Sequence, residues 1–343
     1  MMRRSAVSLV FSIGFMLSVG SAFTPPRASA QTLLPINIGY QATADWLLFT
    51  ARDLQLFEKA GLAPTYVKFV AGAPMIAAAQ SQTIDVAAVG SVPFLIGLSQ
   101  GVDWVIIGIH SEGAYAEGFV VRKDSGIDTP ADLKGKRIGY FRGSTTHYGV
   151  MMVLRQVGIR PDQVTLLHLS PAEQLAAMVA KEIDAAMAWE PWMQRMVHEA
   201  NARIIATEGD IGIYTNVATY SARRDWLQGH RETAVRFLRA LLMAYDILQK
   251  DPTVGVRALA QEMGIKKAWA ETIYRDAPPP RIYEWANPRY DYALVKGAAF
   301  ARRLGDLAAF LLAEKVLPTP IDVSDATDAS VITEALAAWK GGR

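Results

Sequence analysis

Apolar positions along this chain follow two alternating rhythms. Short runs dense in Val, Ile and Ala are followed by stretches in which apolar residues return every three or four positions, the spacings of strands and of helices packed on them. The runs that read as strands begin with 35–40 (PINIGY), 65–70, 84–89 (IDVAAV), 104–109 and 118–123. Between them helical spacing covers 44–60, ended by Gly61, then 73–80, then a helix opened by Gly90, Ser91, Val92 and Pro93. A second set follows Asp124: a short helix from Thr129 and Pro130, strand 136–140, helix 145–156 stopped by Gly158, strand 164–169, helix 171–181, strand 184–189, a helix from Pro191, and strand 203–207. From Val217 the pattern becomes mostly helical to the end, with 223–226 marking the turn into it. Strands alternating with helices predict an α/β protein of two doubly wound lobes with a cleft between them. The predicted division is 31–122 for the first part of lobe 1, 123–215 for lobe 2, and 216–343 for a helical return to lobe 1, with crossings near 118–125 and 214–220. No period of 20–50 residues repeats, which argues against a solenoid.

The first thirty residues stand apart from this pattern. Met1, Met2, Arg3 and Arg4 precede an apolar run over 6–23, and Ala28, Ser29 and Ala30 supply a small-x-small end. These are the parts of a secretion signal. Interspersed serines and glycines and the pair Pro25, Pro26 favour cleavage after Ala30 over a permanent anchor. Charge then changes meaning. The chain of 343 residues carries 35 basic and 33 acidic residues, a net +2, but the leader holds three arginines and no acid, leaving 32 basic against 33 acidic, or −1. No basic stripe with interleaved aromatics is present, so nucleic acid is not an expected partner.

There is no cysteine. This excludes disulfides, thiolate metal sites, thiol nucleophiles and a lipid-modified cysteine tether. An exported chain without an anchor is expected where an outer compartment retains it, the Gram-negative periplasm. A remaining 313 residues suffice for a core that needs no disulfides.

Ligands of open α/β sheets bind outside the carboxyl ends of the strands, which directs attention to the strand-to-helix junctions. At the junction after 136–140, Gly143 permits a close backbone approach, and Ser144 stands where a helix cap belongs. Thr145, Thr146, His147 and Tyr148 follow. Free N–H groups at that helix start with hydroxyls beside them would form an anion cradle; the alternative is that Ser144 only caps its helix. Gly90 and Ser91 repeat the arrangement in the first lobe, so that two helix starts can face each other across the cleft. Gln41 and Trp46 are candidate walls, Trp46 being equally suited to the core. Trp189 and Glu190 end another strand, where Glu190 either complements the helix begun by Pro191 or meets a cationic part of a ligand.

Two catalytic readings fail on context. Residues 97–101 (GLSQG) match the G-x-S-x-G pattern of serine hydrolases, but Ser99 ends a predicted helix instead of following a strand. The five histidines lack metal-ligand spacing, and no phosphate-binding G-x-x-x-x-G-K-[S/T] loop occurs. No cofactor and no metal are expected.

The strings GYQ (39–41), FVAGAP (69–74), IDVAAVGSVP (84–93), DLKGKRI (132–138), STTHY (144–148), PAE (171–173) and DAAMAWEP (184–191) occur in an order that resembles the periplasmic taurine- and alkanesulfonate-binding proteins of ABC importers, within the group that includes nitrate and thiamine-precursor binders. The resemblance implies the two-lobed type II periplasmic-binding-protein fold. It also implies a non-catalytic role: capture of a small anionic solute, as a monomer, and delivery to the membrane subunits of a permease. STTHY is similar to the taurine branch, and WEP to the aliphatic sulfonate branch. Carried over, the anion site falls on Ser144, Thr145, Gly90 and Ser91. A taurine site also has to neutralise an ammonium, for which Asp45, Glu112 and Glu190 are the candidates. An aromatic sulfonate or carboxylate, nitrate or a pyrimidine vitamin precursor is the alternative ligand, with Trp46, Tyr148, Trp189, Trp192 and Tyr214 as stacking surfaces.

Overall fold

The computed structural model describes residues 32–112, 114–213 and 217–339. The predicted leader and Tyr214 lie outside the described residues. In chain order the elements are β1 (Leu34–Gln41), α1 (Trp46–Asp53), α2 (Leu56–Lys59), β2 (Leu62–Phe69), α3 (Ala73–Gln80), β3 (Val86–Gly90), α4 (Ser91–Ser99), β4 (Trp104–Ser111), β5 (Glu117–Arg122), β6 (Arg137–Tyr140), α5 (Thr145–Gln156), β7 (Thr165–His168), α6 (Pro171–Val179), β8 (Ala185–Trp189), α7 (Trp192–Glu199), β9 (Ala202–Thr207) and β10 (Ala218–Arg223). Six helices follow: α8 (Arg224–Gly229), α9 (Arg231–Lys250), α10 (Pro252–Met263), α11 (Lys267–Asp276), α12 (Ala299–Ala313) and α13 (Ser330–Ala337).

The strands form two five-stranded sheets of one topology, β2-β1-β3-β10-β4 and β7-β6-β8-β5-β9. Strands β1, β2 and β3 are parallel, as are β6, β7 and β8. In each sheet one strand runs against its neighbours, β10 between β3 and β4, and β5 between β8 and β9. The central strands β3 and β8 are buried along their whole length, as strands covered by helices on both faces must be.

Two expectations change here. Strand β5 falls in the stretch predicted to end the first part of lobe 1, but its pairing with β8 and β9 puts it in the second sheet. The chain therefore leaves the first sheet after Ser111 and enters the second at Glu117, before the predicted first crossing, and it leaves the second sheet after Thr207 to re-enter the first at Ala218, within the predicted second crossing. Strand β10 lies in the stretch expected to be helical. Its polar residues conceal it: Thr219 and Ser221 share one buried face, bonded to each other at 2.9 Å, and the Thr219 hydroxyl donates to Val89 O at 3.0 Å.

The helix expected over 44–60 is likewise two. Asp45 caps α1 by accepting from Leu48 N at 3.0 Å, and Gln55 breaks the run with a left-handed φ of 53°. The break turns Phe57 into the core, where its ring stacks on Phe237 at 5.5 Å. The C-terminal helices cover the first sheet: α9 and α10 pack on α1, and α13 packs on β4. No helix among the described residues is long and apolar enough to cross a membrane.

Candidate functional site

The topology determines which residues meet. Parallel strands deliver their carboxyl ends to one side of each sheet, and an antiparallel strand delivers its beginning there. Thus Glu117, the first residue of β5, pairs with Trp189, the last of β8, while Ala218 at the start of β10 pairs with Gly90 and Ser111. These ends line a cavity of about 30 Å³ together with Gln41, Gly72, His110, Ser144, Thr145 and Glu190.

The two lobes close tightly on this cavity. A methyl group added at Gly90 would lie 3.0 Å from Thr145 Cγ2, so the glycine is what lets the starts of α4 and α5 approach. On the other side, the Trp189 indole donates from Nε1 to Ala42 O at 3.2 Å, joining the end of β8 to the turn after β1. Gly143 has a φ of +74°, the left-handed conformation that favours glycine, and turns the chain from β6 into α5.

Positive potential at the cavity comes from backbone alone. Gly72, Gly90 and Ser144 are the residues before α3, α4 and α5, and none of these helices has a side-chain cap. Instead of capping, Ser144 Oγ donates to Phe141 O at 2.7 Å and bonds Thr146 Oγ1 at 2.8 Å. Each helix start carries roughly half a positive charge. Among the described lining residues there is no lysine or arginine.

Negative charge comes from two carboxyls of the second lobe. Glu117 Oε1 accepts from the Thr145 hydroxyl at 2.6 Å; Oε2 is shielded from solvent and has no hydrogen-bond partner, although the residue as a whole keeps some exposure. Burial pushes the Glu117 carboxyl up, against the pull of the Thr145 bond. Glu190 accepts from Gln194 N and Nε2, both at 3.2 Å, and burial raises it to about 7 despite those bonds. Gln41 Oε1 and both ring nitrogens of His110 are also buried without partners. Burial pushes His110 down to about 3, so its 3.7 Å approach to Asp45 is not an ion pair at neutral pH. Three kinds of acceptor atom therefore border one small space, each at the cost of an unmade hydrogen bond, about 1–3 kcal/mol.

Of the residues singled out from sequence, Gln41, Gly90, Ser144, Thr145, Trp189 and Glu190 line the cavity. Trp46 does not: it is 1% exposed, and its indole donates to Ala277 O at 2.8 Å in the core. Ser91 is fully buried, with its N–H donating to Val217 O at 2.8 Å and its hydroxyl accepting from Val217 N at 3.4 Å, so it anchors the entry of β10. Thr146 is buried under Phe141, accepting from Phe141 N at 3.3 Å. His147 packs beside the Tyr140 ring and is not among the lining residues, and burial lowers it to about 4.

Among the ammonium candidates, Asp45 does not line the cavity: its Oδ1 accepts from Leu48 N and, at 2.5 Å, from the Tyr220 hydroxyl, while Oδ2 stands 3.7 Å from His110 without a hydrogen bond. Glu112 accepts from the Tyr290 hydroxyl and lines a different cavity. Ser99 ends α4 with its hydroxyl donating to Ile96 O at 2.7 Å, so the strand–serine–helix turn of a hydrolase is absent there. Sequence reasoning missed Glu117, because it inspected strand ends and Glu117 begins a strand. The available signal was a lone acid heading the apolar run 118–121 (GFVV).

With this geometry in view, the chain can be set beside known proteins. It is 27% identical over 345 residues to the putative aliphatic sulfonates-binding protein of Bacillus subtilis (strain 168), covering 99% of each chain. It is 27% identical to the taurine-binding periplasmic protein of Escherichia coli (strain K12), over 80% of this chain and 88% of that one. Its fold superposes with a TM-score of 0.74 on the alkanesulfonate-binding protein SsuA from Xanthomonas axonopodis pv. citri bound to MOPS, at 27% identity, covering 87% of this chain and 99% of that one. The architecture is the two-lobed type II periplasmic-binding fold expected from sequence. The NMT1/THI5-like family model matches residues 46–254, more than half of the chain, and the protein therefore belongs to the NMT1/THI5-like family.

Proposed function

We propose that this protein is the periplasmic solute-binding component of an ABC importer, and that its ligand is a small organosulfonate bearing an ammonium group, of the taurine class. One observation carries the choice of ligand: a single cavity has three uncapped helix starts and two buried carboxyls on its walls, and no lysine or arginine among its described lining. A plain alkanesulfonate would satisfy the helix starts but would place its anion beside Glu117 and Glu190. A zwitterion satisfies both. Its sulfonate accepts from the starts of α3, α4 and α5, and its ammonium donates to the acceptors left without partners, foremost Glu117 Oε2.

Capture works by closure. The ligand bridges the α3 and α4 starts of the first lobe to the α5 start and carboxyls of the second, and the closed form docks on permease subunits that hydrolyse ATP elsewhere. The protein carries out no chemistry; having no cysteine, it lacks a thiol nucleophile. It acts as a monomer, exported with cleavage after Ala30. Micromolar affinity corresponds to about −8 kcal/mol, within reach of several charge-assisted hydrogen bonds of about 1.5–3 kcal/mol each after ordering costs. Isothermal titration calorimetry on protein freed of carried-over ligand should give taurine a lower Kd than ethanesulfonate. No heat from taurine or from any short alkanesulfonate would sink the proposal.

A further inference from the structure

Helices α7 and α11 belong to different lobes and meet at the edge of the cleft. Helix α7 packs on α6, β5, β8 and β9 of the second lobe, whereas α11 packs on α10, which covers α1 of the first. Their inner ends stand near the cavity. Gln194, in the first turn of α7, donates to Glu190, and the charge of Asp276, the last residue of α11, reaches Glu190 and opposes its ionisation. Their outer ends meet in a pair of rings: the His198 imidazole stacks on the Trp269 indole, with centroids 4.4 Å apart and planes 3° from parallel.

This pair differs from the other contacts between the lobes. Neither ring lines the cavity. His198 is exposed and Trp269 half-buried, so water can replace each partner when the lobes part, without disturbing either core. The Tyr148–Phe310 pair, which joins α5 to α12 with centroids 4.8 Å apart, is different, because Tyr148 is buried. His198 stands in the last turn of α7 and Trp269 in the first turn of α11, helix ends of opposite partial charge. Lys266 Nζ also lies over the Trp269 ring, 5.7 Å from its centroid. At the inner ends the facing groups, Glu190 and Asp276, are both acids and supply no attraction. The attraction between these two helices therefore resides in the rings.

We infer that the His198–Trp269 stack is a latch of the closed state: it forms when the lobes come together on the solute and holds α7, and with it Glu190, against the first lobe. His198 and Trp269 are then positioning residues that act on affinity without touching the ligand. The inference rests on the reading of the protein as a solute-binding protein that closes on its ligand.

The test measures taurine and ethanesulfonate by calorimetry, and their release by stopped-flow fluorescence, on the ligand-free protein and on four variants: His198→Ala, His198→Phe, Trp269→Ala and the double alanine variant. A contact made only in the closed form acts mainly on release. His198→Ala should raise the Kd of both ligands by the same factor, about 3- to 10-fold, through faster dissociation. The melting temperature of the ligand-free protein should not change. His198→Phe keeps a flat ring against Trp269 and should recover most of the affinity. Trp269→Ala should weaken binding to a similar degree, and adding His198→Ala to it should cost nothing further. An unchanged Kd in His198→Ala, no recovery in His198→Phe, or losses that simply add in the double variant would overturn the latch and leave the solute reading standing. Binding of neither ligand by the unaltered protein overturns the solute reading, and the latch with it.

Discussion

Replacing Glu117 by Gln removes one negative charge from the cleft and little else. The side chain keeps its shape, and its amide oxygen can still accept from the Thr145 hydroxyl, now at 2.6 Å from Oε1. What disappears is the attraction between Oε2, enclosed and unpartnered, and a ligand ammonium. Two unit charges about 4 Å apart attract by about 4 kcal/mol at an effective dielectric constant of about 20. Part of this is offset, because stripping water from both groups is costly and because a neutral amide still accepts a hydrogen bond. A loss of about 2–3 kcal/mol remains, in line with removing one member of a buried charge pair. Glu117→Gln should therefore weaken taurine by about 30- to 150-fold. Ethanesulfonate has no ammonium to lose, and relief from the carboxylate should leave its affinity equal or higher. Calorimetry at pH 8 reads both ligands on one preparation, and thermal melting of the free variant confirms that it folds. Equal weakening of the two ligands, or none of taurine, would refute the assignment of Glu117.

Three further outcomes follow from the same geometry. Gly90 has an ordinary extended backbone (φ −68°, ψ 157°), so Gly90→Val costs no backbone strain, but its Cβ would stand 3.0 Å from Thr145 Cγ2; ligand affinity should fall by about 10-fold or more with the ligand-free melting temperature nearly unchanged. Tyr220→Phe removes the hydroxyl that donates to Asp45 at 2.5 Å behind the cleft, and urea unfolding should report about 1–3 kcal/mol of lost stability. Glu190 is raised from 4.5 to about 7 by burial, so the folded state favours its protonated form. Its contribution is fully present below the unfolded value and is lost as pH rises through about 7. Glu190→Gln should therefore gain on the wild type by about 3 kcal/mol between pH 4.5 and pH 8.5 in ligand-free unfolding experiments; a pH-independent difference would contradict the raised carboxyl.

The elements were legible wherever a local rhythm sufficed. The helices at 73–80 and 145–156 are found with the boundaries their apolar spacing predicts, because helix periodicity and the glycines and prolines beside it are properties of a few neighbouring residues. Strand β10 was not legible, because Thr219 and Ser221 look solvent-facing until their partners Val89 and each other are known. The break at Gln55 was hidden for a related reason: the residues on both sides are good helix formers, and the turn of Phe57 onto Phe237 decides it.

By itself the sequence determined the α/β class and the junctions that reach the cavity, since Gly, Pro and hydroxyl residues after an apolar run mark where a strand gives way to a helix. It also determined that neither thiol chemistry nor a basic groove is available. Only the tertiary structure decided which side of each junction faces the ligand. Ser91 and Thr146 turn inward to anchor backbone, while their neighbours Gly90 and Thr145 meet across the cleft. It also brought Glu117 beside Trp189, through the antiparallel pairing of β5 with β8. Strand direction and pairing are long-range choices, made by the burial of whole sheets, and no local pattern around residue 117 encodes them.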